Sequence, residues 1–343
     1  MRLPLSSGRM DRRDVARARA RLQQAVREFL ARRGYEEVET PCLVPAPGME
    51  PHLDAFAAPF HPGGGGPARP LWLHTSPEYA MKRLLAEGFP RIFQLARVFR
   101  DGEVSASHNP EFTMLELYRA GTDYRGIMGD LEALVAHCAA VLHGATRVRC
   151  GGRDLDLSAP FERLTVDEAF RRVGVDLGAC DGDAEALRRQ LVARGLDGGA
   201  PGDGYDDLFF RTFLAHVETA LPPGRPTYVL DWPAPMAALS RLKEADRRWA
   251  ERFELYAGGL ELANGFSELT DAVEQRARLE AERALRRRLG RADHPIDEEF
   301  LSAVGRMPPS GGVALGLDRL LMLLTGAAGI GEVLLFPAHA FLR

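Results

Sequence analysis

The chain has 343 residues, of which 45% are hydrophobic and 27% are charged, and its formal net charge is −4. These proportions are typical of a globular enzyme or binding protein, and so small a charge gives no large basic field of the kind that tight nucleic-acid binders carry. The four cysteines form no CxxC pair, which argues against zinc and for a reduced, cytoplasmic setting. No signal peptide is recognisable, and no apolar run reaches the roughly 18 residues of a membrane span, so no membrane association is expected.

An amphipathic helix is predicted at 11–33, because its apolar residues recur at helical spacing and Gly34 follows as a stop signal. A short strand is predicted at 38–41, ending at a proline. The segment 45–70 is rich in proline and glycine. Its four consecutive glycines lack the Lys-Ser/Thr pair of a phosphate-binding loop, so a flexible surface loop is expected.

The segment 71–78 is predicted to be a strand that runs into the start of a helix. Ser76 can cap that helix, and Pro77 suits its first position. Glu78 then lies in the first turn, where a carboxylate is stable for purely structural reasons. The functional alternative is that Glu78 receives the ammonium group of a ligand.

Two strands joined by a polar loop are predicted for 91–119. Arg100 stands at the end of the first strand, a position from which an arginine can bind a polyanion. A plain solvent-exposed hairpin is the alternative. The number of polar groups favours a functional loop; these groups are Arg97, Arg100, His108, Asn109, Glu111 and Glu116.

Helices are expected in the middle of the chain. One is predicted at 123–143, and an insertion at about 150–225 is expected to be helical. The predicted helices of the insertion are 166–173, 183–194 and 205–220. Nothing in the insertion requires chemistry. Strand structure returns at 226–233 and in a hairpin at 252–266, and a long charged helix is predicted at 272–289.

The hairpin brings two carboxylates together. A two-residue glycine turn at 258–259 would place Tyr256 opposite Glu261, with Glu254 on the same face within roughly 5–8 Å of Glu261. Converging carboxylates repel each other unless a cation lies between them, and Mg²⁺ prefers oxygen ligands and bridges carboxylates to phosphates. A solvated sheet face is the alternative interpretation.

The run 311–320 is predicted to be a strand that ends in glycine and turns directly into a helix. Asp318 can cap this helix, whose apolar residues predict burial. Gly316 has no Cβ, so a ligand can approach the backbone there, and Arg319 emerges beside it. A guanidinium at such a gap suits a phosphate or an adenine ring, although a core arginine paired with an internal carboxylate explains the pattern equally well.

Taken together, the residues predict an antiparallel sheet on which Arg100 and Arg319 clamp phosphates. Glu254 and Glu261 would hold a metal ion, and Glu78 would receive a cationic substrate. This set suits attack of a substrate carboxylate on the α-phosphate of ATP. The carboxylate oxygen is already nucleophilic, so catalysis needs only positioning and neutralisation of charge.

Five segments resemble the signature motifs of class II aminoacyl-tRNA synthetases, and specifically of the lysyl-tRNA synthetase branch. The three class motifs are matched by 39–41, 99–116 and 312–319, and the lysine branch by 75–78 and 261–269. The resemblance covers nearly the whole chain, which it presents as one catalytic domain, 1–343. It implies an α+β fold, an antiparallel β-sheet flanked by helices with the helical insertion between motifs 2 and 3. It also implies ATP as co-substrate, Mg²⁺ as cofactor and a homodimer formed through motif 1.

Two departures from the lysyl-tRNA synthetase pattern point to a paralogous family, the elongation factor P–(R)-β-lysine ligases. The chain begins almost at motif 1, and about 10 preceding residues are too few for an anticodon-binding OB domain. Ala314 stands where lysyl-tRNA synthetases usually have glycine, which would narrow the amino-acid pocket. The resemblance therefore implies transfer of (R)-β-lysine to a lysine of elongation factor P, with no charging of tRNA.

Three other functions compete with this interpretation. A minimal lysyl-tRNA synthetase-like enzyme would require contacts with tRNA. An amide synthetase would use the same ATP site with another amine acceptor. A catalytically inactive paralogue is disfavoured, because both motif arginines and both metal carboxylates are present.

The resemblance also implies roles for individual residues. The ATP site would be formed by Arg100, Asp101, Gly102, Glu103, Asn109, Phe112, Glu254, Leu255, Gly316 and Arg319. The substrate amino acid would be held by Ser76, Pro77, Glu78, Tyr118, Glu261, Asn264, Glu268 and Ala314. Glu254 and Glu261 would bind the metal ion, and Asn264 and Glu268 would meet the distal ammonium. Motif 2 usually has glutamate two residues after its arginine; Gly102 takes that place here, so Glu103 is expected to read adenine instead.

Overall fold

The computed structural model describes residues 10–342. The helices are α1 (Arg12–Arg32), α2 (Glu78–Ala86), α3 (Tyr124–His143), α4 (Val166–Arg172), α5 (Ala184–Ala193), α6 (Tyr205–Thr212), α7 (Ala272–Arg288), α8 (Glu298–Val304) and α9 (Leu317–Thr325). The strands are β1 (Glu36–Glu37), β2 (Leu43–Val44), β3 (Trp72–Leu73), β4 (Arg91–Phe99), β5 (Glu111–Ala120), β6 (Arg147–Cys150), β7 (Arg153–Asp156), β8 (Glu162–Thr165), β9 (Thr227–Pro233), β10 (Trp249–Ala257), β11 (Leu260–Ser267) and β12 (Ser310–Gly316).

Within residues 10–342, eight strands form one large sheet in the order β1-β4-β5-β12-β11-β10-β9-β8. β1 runs parallel to β4 at one edge and β8 runs parallel to β9 at the other, whereas the neighbours between them are antiparallel. Helices flank this sheet, which confirms the α+β, antiparallel fold that the motifs implied. The central strands β5, β12, β11 and β10 carry most of the residues for which chemistry was predicted.

One face of the sheet packs against α3 and α9, and α1 covers α3. Leu115, Leu255 and Leu315 point from β5, β10 and β12 into this core and are fully buried. Because side chains alternate along a strand, their even-numbered neighbours face the opposite side of the sheet. The polar residues of the candidate site lie on that opposite side.

The helices α1 and α3 confirm two predictions from apolar periodicity. Asp11 caps α1, and Gly144 ends α3 in the left-handed region with φ of 77°. By length and composition alone, α3 is apolar enough to cross a membrane, contrary to the expectation that no segment would be. A buried core helix meets the same criterion, and α3 buries Leu131 and Leu134 fully against the rest of the core.

The insertion contains α4, α5 and α6, close to the three helices predicted there. Helix α6 is shorter than the helix predicted at 205–220, because its α-helical part ends at Thr212. A π-helix at Phe213–Val217 and a 3-10 turn at Glu218–Ala220 follow it. Aromatic side chains around Phe209 and Trp232 give this region a core of its own. The charged strands β6, β7 and β8 were not predicted, because they lack a clear apolar alternation.

Two local predictions were wrong. The strand expected at 38–41 is instead the two-residue β1; Val38 only donates its N–H to Phe93 O at 2.9 Å, and the proline that follows has no N–H to extend a ladder. Asp318 does not cap α9, which begins at Leu317. Its buried carboxylate instead accepts the N–H of Thr113 at 2.7 Å and pairs with Arg19. Gly326 ends α9 in the left-handed region with φ of 68°.

Candidate active site

The polar face of the sheet forms the floor of a cleft. Neighbouring strands bring cleft-facing residues side by side: Ala314 is paired with Glu116 on one side and with Asn264 on the other. Asn264 is in turn paired with Glu254. The cleft divides into two cavities of about 370 and 290 Å³ that share part of their lining. We call them the nucleotide cavity and the amino-acid cavity, after the roles proposed below.

The nucleotide cavity contains the arginine predicted at the end of β4. Arg100 lies with its guanidinium carbon 5.2 Å from the centre of the Phe112 ring and 3.7 Å from the Glu103 carboxylate. Its Nε is buried and has no hydrogen-bond partner. This cavity is lined by Arg100, Glu103 and Phe112, three of the residues that the resemblance assigned to an ATP site. A guanidinium with one buried, unused donor is suited to an anionic ligand.

Arg319 reaches the same cavity from the first turn of α9. It donates to Glu261 O at 2.8 Å, and its Nη2 lies 2.7 Å from His108 Nε2. Burial, followed by the charge of Arg319, lowers the pKa of His108, so its ring can accept from the guanidinium. A Cβ on Gly316 would lie 3.6 Å from Arg319 Cδ, which confirms that the arginine lies over the bare glycine backbone.

Four residues assigned to the ATP site contribute less directly. The amide of Asn109 lines the cavity, but it donates to Glu111 O at 2.6 Å and accepts from Ala338 N at 2.8 Å. Asp101 donates its N–H to Asp54 O at 2.8 Å and is exposed, as is the following Gly102 with φ of 80°. The side chain of Leu255 lies in the core on the other face of the sheet.

The carboxylates predicted to bind metal line one side cavity of about 280 Å³ that adjoins the nucleotide cavity. Tyr256 is paired with Glu261, as predicted, but a bulge between Leu255 and Tyr256 pairs Glu254 with Asn264. Glu254 accepts from Tyr256 OH at 2.6 Å and from Arg252 at 2.8 Å.

The electrostatics of this pair suit a cation. Burial raises the pKa of Glu254 to about 7, and the negative charge of Glu261 is the next cause. Such repulsion between carboxylates is relieved by a hard divalent cation, so the pair fits Mg²⁺. Within residues 10–342 no group of three or more His, Cys, Asp or Glu side chains is arranged to hold a metal, so the remaining ligands would have to come from elsewhere.

The amino-acid cavity is lined by acidic and hydroxyl groups. It is lined by six of the eight residues assigned to the substrate, which are Ser76, Glu78, Tyr118, Asn264, Glu268 and Ala314. Glu261, which was also assigned to the substrate, lines the nucleotide cavity instead. Pro77 instead precedes α2 and lines a small neighbouring cavity. Ser76 Oγ accepts the N–H of Glu78 at 3.0 Å, but the residue at the N-cap of α2 is Pro77 and not Ser76, since the helix begins at Glu78.

A buried lysine that sequence reasoning missed joins two of these acids. Lys82 is 1% exposed and lies 2.5 Å from Glu78 and 2.6 Å from Glu268. Its position four residues after Glu78 was a usable signal, because such residues share a helix face. The two carboxylates that were expected to receive a substrate ammonium are therefore already partly neutralised by this internal cation.

Glu116 was counted among the polar groups of the 91–119 hairpin but was assigned no role, and it too lines the amino-acid cavity. Ser76 Oγ and Tyr118 OH donate to its two carboxylate oxygens at 2.5 and 2.8 Å. Burial, reinforced by the charge of Glu78, raises the pKa of Glu116 to about 8. The alternation Met114, Glu116, Tyr118 along β5 could have identified it, because all three share the cleft-facing side.

The two cavities meet around Arg100, Met114, Asn264 and Ala314, which line both. Ala314 is the residue that was predicted to narrow the amino-acid pocket, and it lies in this junction. A ligand in one cavity can therefore touch a ligand in the other beside Arg100. The arrangement suits a reaction between a small cationic molecule and a nucleotide.

The chain is similar to known ligases over nearly its whole length. The family model described as tRNA synthetases class II (D, K and N) matches residues 5–340. The chain is 40% identical over 329 residues to the lysine–tRNA ligase of Methanoculleus marisnigri and 41% identical over 321 residues to that of Moorella thermoacetica. These matches cover 95% and 93% of the chain, but only 63% and 64% of the relatives, which is less than two thirds of their length.

A relative with a different name is equally similar. The elongation factor P–(R)-β-lysine ligase of Vibrio cholerae is 40% identical over 323 residues, a match that covers 93% of the chain and 94% of that relative. All three relatives are ligases by name. The sheet, the two-cavity cleft and the full-length family match agree with one another. The chain belongs to the class II tRNA synthetase family (D, K and N).

Proposed function

We propose that the protein activates (R)-β-lysine with ATP as an adenylate and transfers it to the ε-amino group of a specific lysine of elongation factor P, acting as a homodimer in the cytoplasm. The observation that carries this proposal is the junction of the two cavities at Arg100 and Ala314. One cavity is lined by buried carboxylates, which suit a diamino acid, and the other presents Arg100 and Arg319 to a nucleotide. The name of the Vibrio cholerae relative supports the choice of amino acid and acceptor.

In the first step, a carboxylate oxygen of the amino acid attacks the α-phosphorus of ATP. The bond from that phosphorus to the bridging β-oxygen breaks, and pyrophosphate leaves. Arg100, at the junction, is placed to stabilise charge on the α-phosphate, and Arg319 to bind the distal end of the nucleotide. No side chain has to form a covalent intermediate.

Glu254 and Glu261 would hold Mg²⁺ at the edge of the nucleotide cavity. Bound there, the ion would neutralise charge on the phosphate oxygens. The side chains around it orient the pair: Arg252 and Tyr256 fix the Glu254 carboxylate through hydrogen bonds of 2.8 and 2.6 Å.

In the second step, a neutral acceptor amine attacks the carbonyl carbon of the adenylate. The acyl carbon–oxygen bond breaks, AMP leaves, and the proton of the attacking amine passes to solvent or to the leaving phosphate. The product is an amide. The same chemistry with a ribose hydroxyl as nucleophile would charge tRNA, and the equal identity of the lysine–tRNA ligases makes this the second candidate function.

The test offers labelled α-lysine, (R)-β-lysine or (S)-β-lysine, with ATP, to the purified protein and either elongation factor P or tRNA. A mass gain on elongation factor P that is largest with (R)-β-lysine is the expected result. Charging of tRNA would replace the proposal by the second candidate. Exchange of pyrophosphate into ATP with neither acceptor labelled would mean that a different amine is the acceptor.

A further inference from the structure

Glu50 is a carboxylate that lines both cavities, yet nothing in the sequence motifs drew attention to it. It lies in the 45–70 segment, which was expected to be only a surface loop. In the fold this residue joins Arg100 and Ala314 at the junction of the nucleotide and amino-acid cavities. Its place is therefore close to where a substrate carboxylate must meet the α-phosphate.

The backbone of Glu50 is fixed from the other end of the chain. Arg286, on α7, is fully buried and donates to Glu50 O at 2.9 Å and to Leu53 O at 2.5 Å. Its second terminal nitrogen pairs with Asp54 at 2.9 Å. Gly48 leaves room for the acid, because a Cβ there would lie 2.5 Å from Glu50 Oε2.

The Glu50 carboxylate lacks the compensation that its neighbours have. Glu50 Oε2 is buried and has no hydrogen-bond partner among the described residues. Glu78 and Glu268, by contrast, are bridged by Lys82. Glu78, Arg100, Arg286, Tyr79 and Glu282 are the charged and titratable groups that act on it.

The direction of its pKa agrees with this isolation. Burial raises the pKa of Glu50, the charge of Glu78 raises it further, and Arg100 only partly offsets them. A ligand cation placed beside this carboxylate would supply the missing partner.

We propose that Glu50 binds the amino group nearest to the reacting carboxylate of a diamino acid, and so selects substrates that carry this group. The inference rests on the proposed function and adds to it a second recognition point. The distal ammonium would lie at the other end of the cavity, near Glu116 and Glu268. Two acidic points, one at the junction and one away from it, fit a substrate with two cationic groups and a carboxylate.

The test measures pyrophosphate exchange with wild-type protein and with Glu50→Gln, using lysine and (R)-β-lysine as substrates. Two probes are measured as inhibitors: 6-aminohexanoate, which lacks the near amino group, and norleucine, which lacks the distal ammonium. A charge-assisted hydrogen bond lost from a buried site predicts a KM for the diamino acid about 10- to 100-fold higher, with the KM for ATP unchanged. The inhibition constant of 6-aminohexanoate should hardly change, whereas that of norleucine should rise with the KM of the diamino acids.

Two further variants separate this role from a structural one. Gly48→Ala keeps the glutamate at position 50 but forces its carboxylate to move. This variant should also raise the KM for the diamino acid. Glu87→Gln, an exposed glutamate just after α2, is the matched control and should change nothing. Thermal unfolding of each variant shows whether the fold is intact.

Equal losses for lysine and 6-aminohexanoate in Glu50→Gln, or no loss for either, would overturn the inference while leaving the proposed function standing. Absence of exchange with any diamino acid in the wild-type protein would overturn both. A selective loss for the substrates that carry the near amino group, in both Glu50→Gln and Gly48→Ala, is the supporting result.

Discussion

The two cavities of the cleft differ in how their charged side chains are compensated. In the amino-acid cavity two carboxylates, those of Glu78 and Glu268, are paired with the internal cation of Lys82 before any ligand arrives. In the nucleotide cavity the side chains of Arg100 and Arg319 remain 23% and 20% exposed. Their charged neighbours Glu103 and Glu261 lie 3.7 and 3.4 Å away, respectively. A cavity of the first kind discriminates between ligands, and one of the second kind neutralises a strongly charged ligand.

The largest effect is expected from Lys82→Met, which removes the ion pairs of this lysine with Glu78 and Glu268. Removal of the cation leaves two buried carboxylates without compensation, so the free energy of unfolding should fall by about 3–5 kcal/mol. Urea denaturation at neutral pH measures it. Arg27→Met, which breaks the exposed pair with Glu37, should cost less than about 1 kcal/mol. Equal effects of the two variants would mean that Lys82 does not neutralise the cavity.

The nucleotide cavity is tested by Arg100→Ala. If this guanidinium stabilises charge on the α-phosphate, the rate of pyrophosphate exchange should fall about 10²–10³-fold, with a smaller change in the KM of the amino acid. The control is Arg97→Ala, an exposed arginine three residues earlier in β4, 3.8 Å from Glu111. An effect of Arg100→Ala confined to the KM of the amino acid would show that Arg100 binds the amino acid and does not stabilise charge on the α-phosphate.

The raised pKa of Glu116 predicts a pH dependence of stability. Its ordinary pKa is 4.5, and in the fold it is about 8. Because the folded state holds this proton more tightly, its contribution to stability is complete below about pH 4.5 and is lost as the pH rises to about 8. Glu116→Gln should not show this loss. Between about pH 4.5 and pH 8 the free energy of unfolding of the variant should therefore rise relative to that of the wild type by more than about 1.4 kcal/mol. Parallel stability curves for the two proteins would contradict the assigned shift.

The smallest effect is expected at the junction. Ala314→Gly removes a methyl group from the lining of the junction. If this methyl group sets the choice of isomer, the ratio of kcat/KM between α-lysine and (R)-β-lysine should change about 10-fold in favour of α-lysine. The KM for ATP should stay as it is. An unchanged ratio would show that the methyl group does not set the choice between the isomers.

Much of the fold was predictable because the decisive patterns are local. The periodicity of α1 and α3, the glycine turn between β10 and β11 and the strand-to-helix turn at Gly316 depend on neighbouring residues. The bulge that pairs Glu254 with Asn264 was not predictable, because an ideal hairpin satisfies the same sequence. Tertiary packing, rather than propensity, also decided that Asp318 pairs with Arg19 instead of capping α9.

The site was predictable where a motif marked it and not where burial created it. Arg100 and Arg319 follow recognisable strand ends. Lys82 and Glu116 look like surface residues of a helix and a strand until the sheet, α2 and α8 close over them, since burial is a property of distant segments. Glu50 depends on a partner still more remote, because the arginine that fixes its backbone lies 236 positions away.

The hydrogen bonds from Arg286 to the 45–70 segment affect the order in which the chain folds. A chain emerges from the ribosome with its N-terminus first, and contacts between distant segments form late. The 45–70 segment is translated early, but Arg286, which binds its carbonyls and Asp54, is translated only after most of the sheet. A nascent chain thus has β4, β5, β10 and β11 before Arg286 can anchor the 45–70 segment, and β12 and α9 are translated later still. The substrate-binding surface can therefore be completed only when nearly the whole chain has been made.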